Sequence, residues 1–219
     1  MTELAPRSLR PGEQAMLDER LQTMRDLLDQ HGLLPLQNRI VLDVGCGHGT
    51  DLARLVGWGA RPENLHGVDS STERIGVARR GHPTMRFECV SAASLPFSDS
   101  HFDLVLMCTL MTSVLDEFAA RSIAAEVTRV LKPGGRVLWY DFRYESLMNR
   151  RTRAVRKGEI VGYFPSFDAD FRTLTVLPPL SRRLGRLTPF VYPMLESIPF
   201  LRTHYMAILT KPLVAERAA

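Results

Sequence analysis

The run Val41-Leu42-Asp43-Val44-Gly45-Cys46-Gly47-His48-Gly49 limits the fold more than any other part of the chain. An apolar stretch beginning at Ile40 is interrupted by an acid, and glycines then fall at every second position. A helix-compatible stretch follows over residues 50–56. That order predicts a buried strand, a tight glycine turn and a helix start. Glycines at such a turn let the backbone approach a ligand where a Cβ would clash.

The spacing selects among nucleotide-like ligands. The dinucleotide fingerprint is Gly-x-Gly-x-x-Gly. Here the third glycine arrives one residue early, and Thr50 stands where the dinucleotide glycine would be. A nicotinamide cofactor is therefore not expected. Further along, Leu65-His66-Gly67-Val68-Asp69-Ser70 reads as a second short strand ending in an acid. It lies about 20 residues after the glycines, where nucleotide folds place a ribose-binding carboxylate. Ser70 and Ser71 are available to cap the helix that follows.

Two more segments complete the series. Phe87-Glu88-Cys89-Val90-Ser91-Ala92-Ala93-Ser94-Leu95-Pro96-Phe97 reads as strand and loop, and Phe102-Asp103-Leu104-Val105-Leu106-Met107-Cys108 as a fourth strand ending beside Thr109. A helix is expected over 116–131. Lys132-Pro133-Gly134-Gly135 should break it and introduce a strand over 136–140.

In this order the motifs resemble the class I S-adenosylmethionine-dependent methyltransferases of the type 11-like group, over about residues 38–142. The resemblance implies a Rossmann-like α/β fold. Its sheet would have seven strands, mostly parallel with the last antiparallel, and helices on both faces. The implied cofactor is S-adenosyl-L-methionine, with S-adenosyl-L-homocysteine as product. The residues expected to bind it are Asp43, Gly45, Cys46, Gly47, His48, Gly49, Asp69, Ser70, Ser91, Ala92, Cys108 and Thr109. Many relatives carry Asp-Ala where this chain has Ser91-Ala92, which replaces an ionised acceptor with a neutral one.

At 219 residues and 45% hydrophobic composition, one sizeable core is expected, hence one domain over 1–219. Residues 1–37 would form a helical lid or packing segment, 38–142 the cofactor core, and 143–219 the acceptor side. No apolar run is long enough to span a bilayer, and the N-terminus lacks the apolar segment of a secretory signal. Cys46, Cys89 and Cys108 form neither a disulfide framework nor a metal-ligand pair. No acid/histidine cluster suggests a metal, and a reducing cytoplasm is the expected compartment.

Charge is unevenly placed. From Phe142 onward thirteen Arg or Lys face six Asp or Glu, while the whole chain nets only +4. Arg143, Arg150, Arg151, Arg153, Arg156 and Lys157 crowd together, a pattern that suits an anionic partner or a solvated helix face. Residues 11–32 carry Met16, Leu17, Leu21, Met24, Leu27 and Leu28 at helical spacing. A short helix is expected over 157–164 and strands over 167–176 and 204–210. The last two would pair as an antiparallel hairpin, with a proline-rich apolar connection over 177–202 too long for a simple turn. Two short helices there would make a cap. Contact with a membrane interface is the alternative use of that apolar content.

The strings around Trp139–Tyr144, Leu177–Arg183 and Ile198–Tyr205 also resemble a bacterial subgroup. Its members are encoded with polysaccharide, glycolipid or specialised-metabolite pathways. That resemblance and the basic excess imply O-methylation of a sugar-containing or anionic acceptor, and hydroxyl methylation wants a general base. Asp141, at the end of a central strand, is the first candidate and His204 the second. Arg143 and Tyr144 are expected to orient the acceptor. The rival readings are a small-molecule N- or C-methyltransferase of quinone type and a non-catalytic cofactor-binding protein. Nucleic acid is not the expected acceptor, because the chain lacks the Asn/Asp-Pro-Pro-Tyr/Phe signature. The sequence leaves the oligomeric state open.

Overall fold

In the computed structural model, which describes residues 9–145 and 153–213, seven strands form one sheet in the order β3-β2-β1-β4-β5-β7-β6. They are β1 (Val41–Val44), β2 (Leu65–Asp69), β3 (Arg86–Cys89), β4 (Phe102–Cys108), β5 (Leu131–Phe142), β6 (Asp168–Val176) and β7 (Arg202–Thr210). The pairs β1–β2, β1–β4, β2–β3 and β4–β5 are parallel, and β7 runs antiparallel between β5 and β6. This is the expected mostly parallel sheet with an antiparallel last strand.

Both faces of the sheet are covered, so its central strands are apolar on both sides. Side chains alternate across the sheet. Leu42, Val105, Met107, Val137, Trp139 and Leu209 enter one core, while Val41, Leu104, Leu106, Leu138 and Ile208 enter the other. The first core is closed by α4 (Glu117–Val130) and α5 (Lys157–Tyr163). The second is closed by α1 (Pro11–Gln30), α2 (Thr50–Val56) and α3 (Thr72–Gly81). Ser71 caps α3 by accepting from Arg74 N at 3.3 Å, and Asp116 caps α4 by accepting from Ala119 N at 2.7 Å.

The 132–135 segment departs from the expected helix-break-strand order. Helix α4 stops at Val130 and β5 begins at once at Leu131. Lys132-Pro133-Gly134-Gly135 is absorbed as an irregularity within the strand, where the β4–β5 register jumps from Phe102↔Leu131 to Leu104↔Arg136. Gly134, at φ +72°, makes the bulge possible.

The connection from β6 to β7 folds into α6 (Pro178–Ser181) and α7 (Thr188–Glu196), with 3-10 turns at Gly185–Leu187 and Pro199–Leu201. It leaves the C-terminal end of β6, the same sheet edge that carries the glycine turn, and packs on α1. The α1–α6 approach is close: a Cβ on Gly12 would lie 1.8 Å from the Ser181 carbonyl oxygen. The expected basic cluster is not one surface. Arg150 and Arg151 lie outside the described residues. Arg153 turns inward, donating to the Val114 carbonyl at 2.9 Å and pairing with Glu159.

Candidate functional site

A cavity of about 650 Å³ opens at the C-terminal ends of β1, β2 and β4. Open α/β sheets bind ligands at this edge, and the volume is within the usual range for small-molecule sites. Asp43, Gly45, Cys46, Gly47, His48, Asp69, Ser70, Ser91, Ala92, Cys108 and Thr109 all line it. Gly49 does not. It stands behind the turn as the N-cap of α2 at φ +77°, and a Cβ there would lie 2.6 Å from the Phe87 ring. Gly47 differs, because at φ +54° its missing Cβ would meet nothing within 4 Å. One glycine is thus required by packing, while the other keeps the cavity wall at backbone height.

Asp69 joins the second strand to the turn. One carboxylate oxygen accepts from Gly47 N at 3.0 Å and the other from Ser71 N at 2.8 Å, with Arg74 at 3.6 Å. Each oxygen has a further lone pair for a ligand hydroxyl. Asp43 is buried in the floor. Burial first, and then the nearby Asp51 carboxylate, push its pKa well up, against the opposing pull of Arg20. Burial likewise raises the thiol pKa values of Cys46 and Cys108, which keeps both thiols protonated and unreactive.

The sequence reading missed the charged wall of this cavity. Arg20 of α1 reaches across to Asp51 of α2 with bonds of 3.2 and 2.5 Å, and Arg54 holds the same carboxylate at 2.7 Å. Burial works against the Asp51 charge, but the two guanidinium groups outweigh it and lower the pKa. The Nε of Arg20 is buried with no partner among the described residues. Arg20 sits four residues before buried Met24, so a charge interrupting an apolar helix stripe was the available signal. Leu110, Ser113, Val114 and Ile123 complete the far wall. Thr109 enters it at φ +53°, a left-handed conformation that costs energy for a β-branched residue.

The two base candidates lie elsewhere. Asp141 is 1% exposed and does not line the cavity. Its carboxylate accepts from Met111 N at 3.1 Å and Thr112 N at 3.3 Å, pinning the loop after β4. Burial raises its pKa to about 7. His204 is also buried and outside the cavity lining. Its ring stacks on Tyr140 at 4.8 Å, and its Nδ1 meets Thr203 Oγ1 at 2.9 Å. Burial, with Arg20 adding to it, lowers its pKa to about 3. Arg143 lies over the rings of Tyr144 and Tyr205 at 4.6 and 5.2 Å and donates to the Pro199 carbonyl at 3.4 Å. Arg143 and Tyr144 therefore sit by the cap, not in the cavity.

The lining residues fit the expected cofactor on two observations: the bare cavity wall at Gly47, and the unpartnered buried Nε of Arg20 beside the engaged Asp51 carboxylate. Residues 41–135 match the family model described as "Methyltransferase domain". Over 110 residues the chain is 36% identical to the fatty-acid O-methyltransferase of Mycolicibacterium smegmatis, covering 49% of this chain and 39% of that protein. It is 34% identical over 129 residues to the ubiquinone biosynthesis O-methyltransferase of Paracidovorax citrulli, covering 56% and 49%. The matched region thus spans less than half the length of either relative. The fold is similar to the crystal structure of an S-adenosylmethionine-dependent methyltransferase from Methanosarcina mazei. That likeness has a TM-score of 0.60 at 24% identity, over 80% of this chain and 92% of that one. Motif order, sheet topology and the family match coincide on one stretch of chain: residues 41–135 are similar to the methyltransferase-domain family and carry the fold of the solved S-adenosylmethionine-dependent methyltransferase.

Proposed function

We propose that the protein methylates an acidic oxygen, a carboxylate or a phenol-like hydroxyl, on a small amphiphilic acceptor. S-adenosylmethionine supplies a methyl group activated by a sulfonium leaving group. The glycine turn, Asp69, Ser70, Ser91 and Ala92 would hold the cofactor, while Thr109, Leu110, Ser113 and Val114 would border the acceptor. Closing those walls around the reactants excludes water and aligns them, a contribution that can reach about 7–11 kcal/mol in well-oriented systems.

One observation carries the choice of oxygen: neither base expected from the sequence lines the cavity. Of the carboxylates that line it, Asp43 is buried in the floor, Asp51 is bridged by two arginines, and Asp69 accepts two backbone N–H groups. Asp141 and His204 lie outside that wall. A carboxylic acid is already ionised near neutral pH, and a phenol ionises more readily than an alcohol, so such acceptors need little help from a base. The O-methyltransferase relatives, one named for fatty acids and one for ubiquinone biosynthesis, support the same class.

A sugar hydroxyl is the second reading. It would depend on His48, which is exposed in the cavity wall with no hydrogen-bond partner among the described residues. An acceptor panel of long-chain acids, phenols, sugars, amines and quinones, run with labelled cofactor, separates the readings. Acids or phenols should be methylated on oxygen, and His48→Gln should keep turnover within about tenfold, because a general base is worth 10²–10⁴. Methylation of sugars alone, lost by about a hundredfold in His48→Gln, would establish the second reading. Transfer only to nitrogen or ring carbon would overturn both.

A further inference from the structure

Helix α7 is built backwards for a solvent-facing helix. Its buried contacts with the body of the protein run through Thr188 and Tyr192, while its outward positions are apolar. Phe190 and Met194 lie four residues apart, hence on one face of α7, and Leu187 ends the 3-10 turn just before it. Leu187, Phe190 and Met194 are 61%, 76% and 70% exposed. Phe200, in the turn just beyond, is 71% exposed. A cluster of large exposed apolar side chains of this kind marks an interaction surface.

The charges around it narrow the choice of occupant. Residues 177–201 contain Arg182, Arg183 and Arg186 against one acid, Glu196 at the end of α7. Arg182 pairs with Glu13 of α1 at 3.0 Å. Arg183 and Arg186 are exposed and have no acidic partner among the described residues. A two-fold dimer through this face would set the same basic cluster against its own copy, and like charges brought together oppose association. An apolar knob beside arginines fits an anionic bilayer, where the apolar side chains enter the acyl boundary and the guanidinium groups meet the headgroups. Prolines at 189 and 193 keep α7 short, so it can dip into the interface and cannot span it. None of the described helices is long and apolar enough to cross a membrane.

We propose that the cap formed by α6 and α7 docks the protein on anionic lipid bilayers, with Leu187, Phe190, Met194 and Phe200 inserted and Arg183 and Arg186 on the headgroups. The cap leaves the same sheet edge as the cavity, so docking would present the site to acceptors dissolved in the membrane. The inference stands on the cap alone, whichever oxygen is methylated.

Co-sedimentation of the full chain with phosphatidylcholine vesicles, alone or mixed in equal parts with phosphatidylglycerol, tests it without an activity readout. Binding should require the anionic lipid and weaken with salt. Arg183→Gln with Arg186→Gln should weaken it roughly thirtyfold, from the attraction of two surface arginines. Phe190→Ser with Met194→Ser should weaken it at least as far. Neither pair lines the cavity, so unchanged calorimetric affinity for S-adenosylhomocysteine verifies that the variants are folded. Vesicle binding that is absent, or that both variants leave unchanged, overturns the proposal in favour of a protein cover for this face. A dimer seen by analytical ultracentrifugation without lipid, and dissolved by the Phe190 and Met194 changes, overturns it in favour of a second copy.

Discussion

Asp141 and His204 sit on neighbouring strands and titrate in opposite senses. Burial raises the Asp141 pKa to about 7 and lowers that of His204 to about 3. Their ordinary values in an unfolded chain are about 3.9 and 6.5. Between those limits folded Asp141 keeps a proton that the unfolded chain has lost. Its contribution to stability is present at low pH and lost as pH rises through 7. Folded His204 stays neutral where the unfolded chain is protonated, so its contribution is present above pH 6.5 and lost as pH falls toward 3. From pH 7 to pH 5 the two effects are each about 2 kcal/mol and opposed. Asp141→Asn should therefore lose about 2 kcal/mol relative to the parent over that interval, and His204→Phe should gain about as much. Urea unfolding of each variant beside the parent at pH 7 and pH 5 measures the difference. Variant-minus-parent stabilities that do not change with pH would refute burial as the cause. Both residues were legible as polar groups at strand ends, but the sequence could not show that they lie outside the cavity wall. That depends on which side of β5 and β7 each side chain leaves, and on the loop at Met111 that claims the Asp141 carboxylate.

At the level of elements, Gly12 carries the contact between α1 and the cap. Its hydrogen faces the Ser181 carbonyl, and an added methyl would overlap that oxygen at 1.8 Å. The carbonyl belongs to helix backbone and cannot swing aside. Gly12→Ala should cost roughly 1–3 kcal/mol, the usual penalty for overpacking, although alanine is the better helix former. Thermal unfolding gives the cost, and limited proteolysis within 177–201 should speed up. A neutral or stabilising result would mean that the two helices separate freely. Many elements were readable in advance: α1, α2, α4, α5 and the paired strands β6 and β7 all fall near their expected places. The two short cap helices were also anticipated from the length and prolines of their segment. The error at 132–135 has a physical source. Lys-Pro-Gly-Gly signals a break whatever its surroundings, and only pairing with β4 shows that the break is a bulge inside a strand. Arg20 was missed for a related reason, since its partner Asp51 lies 31 positions away on another helix.

Across the whole molecule, α1 touches both the cavity and the cap through adjacent residues. Arg20 holds Asp51 in the cavity wall, and its guanidinium lies 4.6 Å from the centre of the Tyr140 ring. The Tyr140 hydroxyl meets Thr175 Oγ1 at 3.1 Å, and Thr175 N donates to Glu19 at 3.0 Å. The same Glu19 oxygen accepts from Tyr192 of α7 at 2.6 Å. These contacts close a circuit from cavity to cap and back along one helix turn. A ligand that orders the Arg20–Asp51 pair also restrains α1, and through Glu19 it restrains α7. Hydrogen exchange with and without S-adenosylhomocysteine should show slower exchange in β1, α2 and α7 together. At a ligand concentration about a hundred times its dissociation constant, linkage provides about 2.7 kcal/mol for that protection. Arg20→Met cuts the circuit at the cavity and leaves Glu19 and Tyr192 in place. In that variant, at the same degree of saturation, ligand should still protect β1 and α2 but no longer protect α7. Equal protection of α7 in the variant would mean that the cap responds to ligand by a route that does not pass through Arg20. An unresponsive α7 in the parent would mean that α1 links the two regions without coupling them.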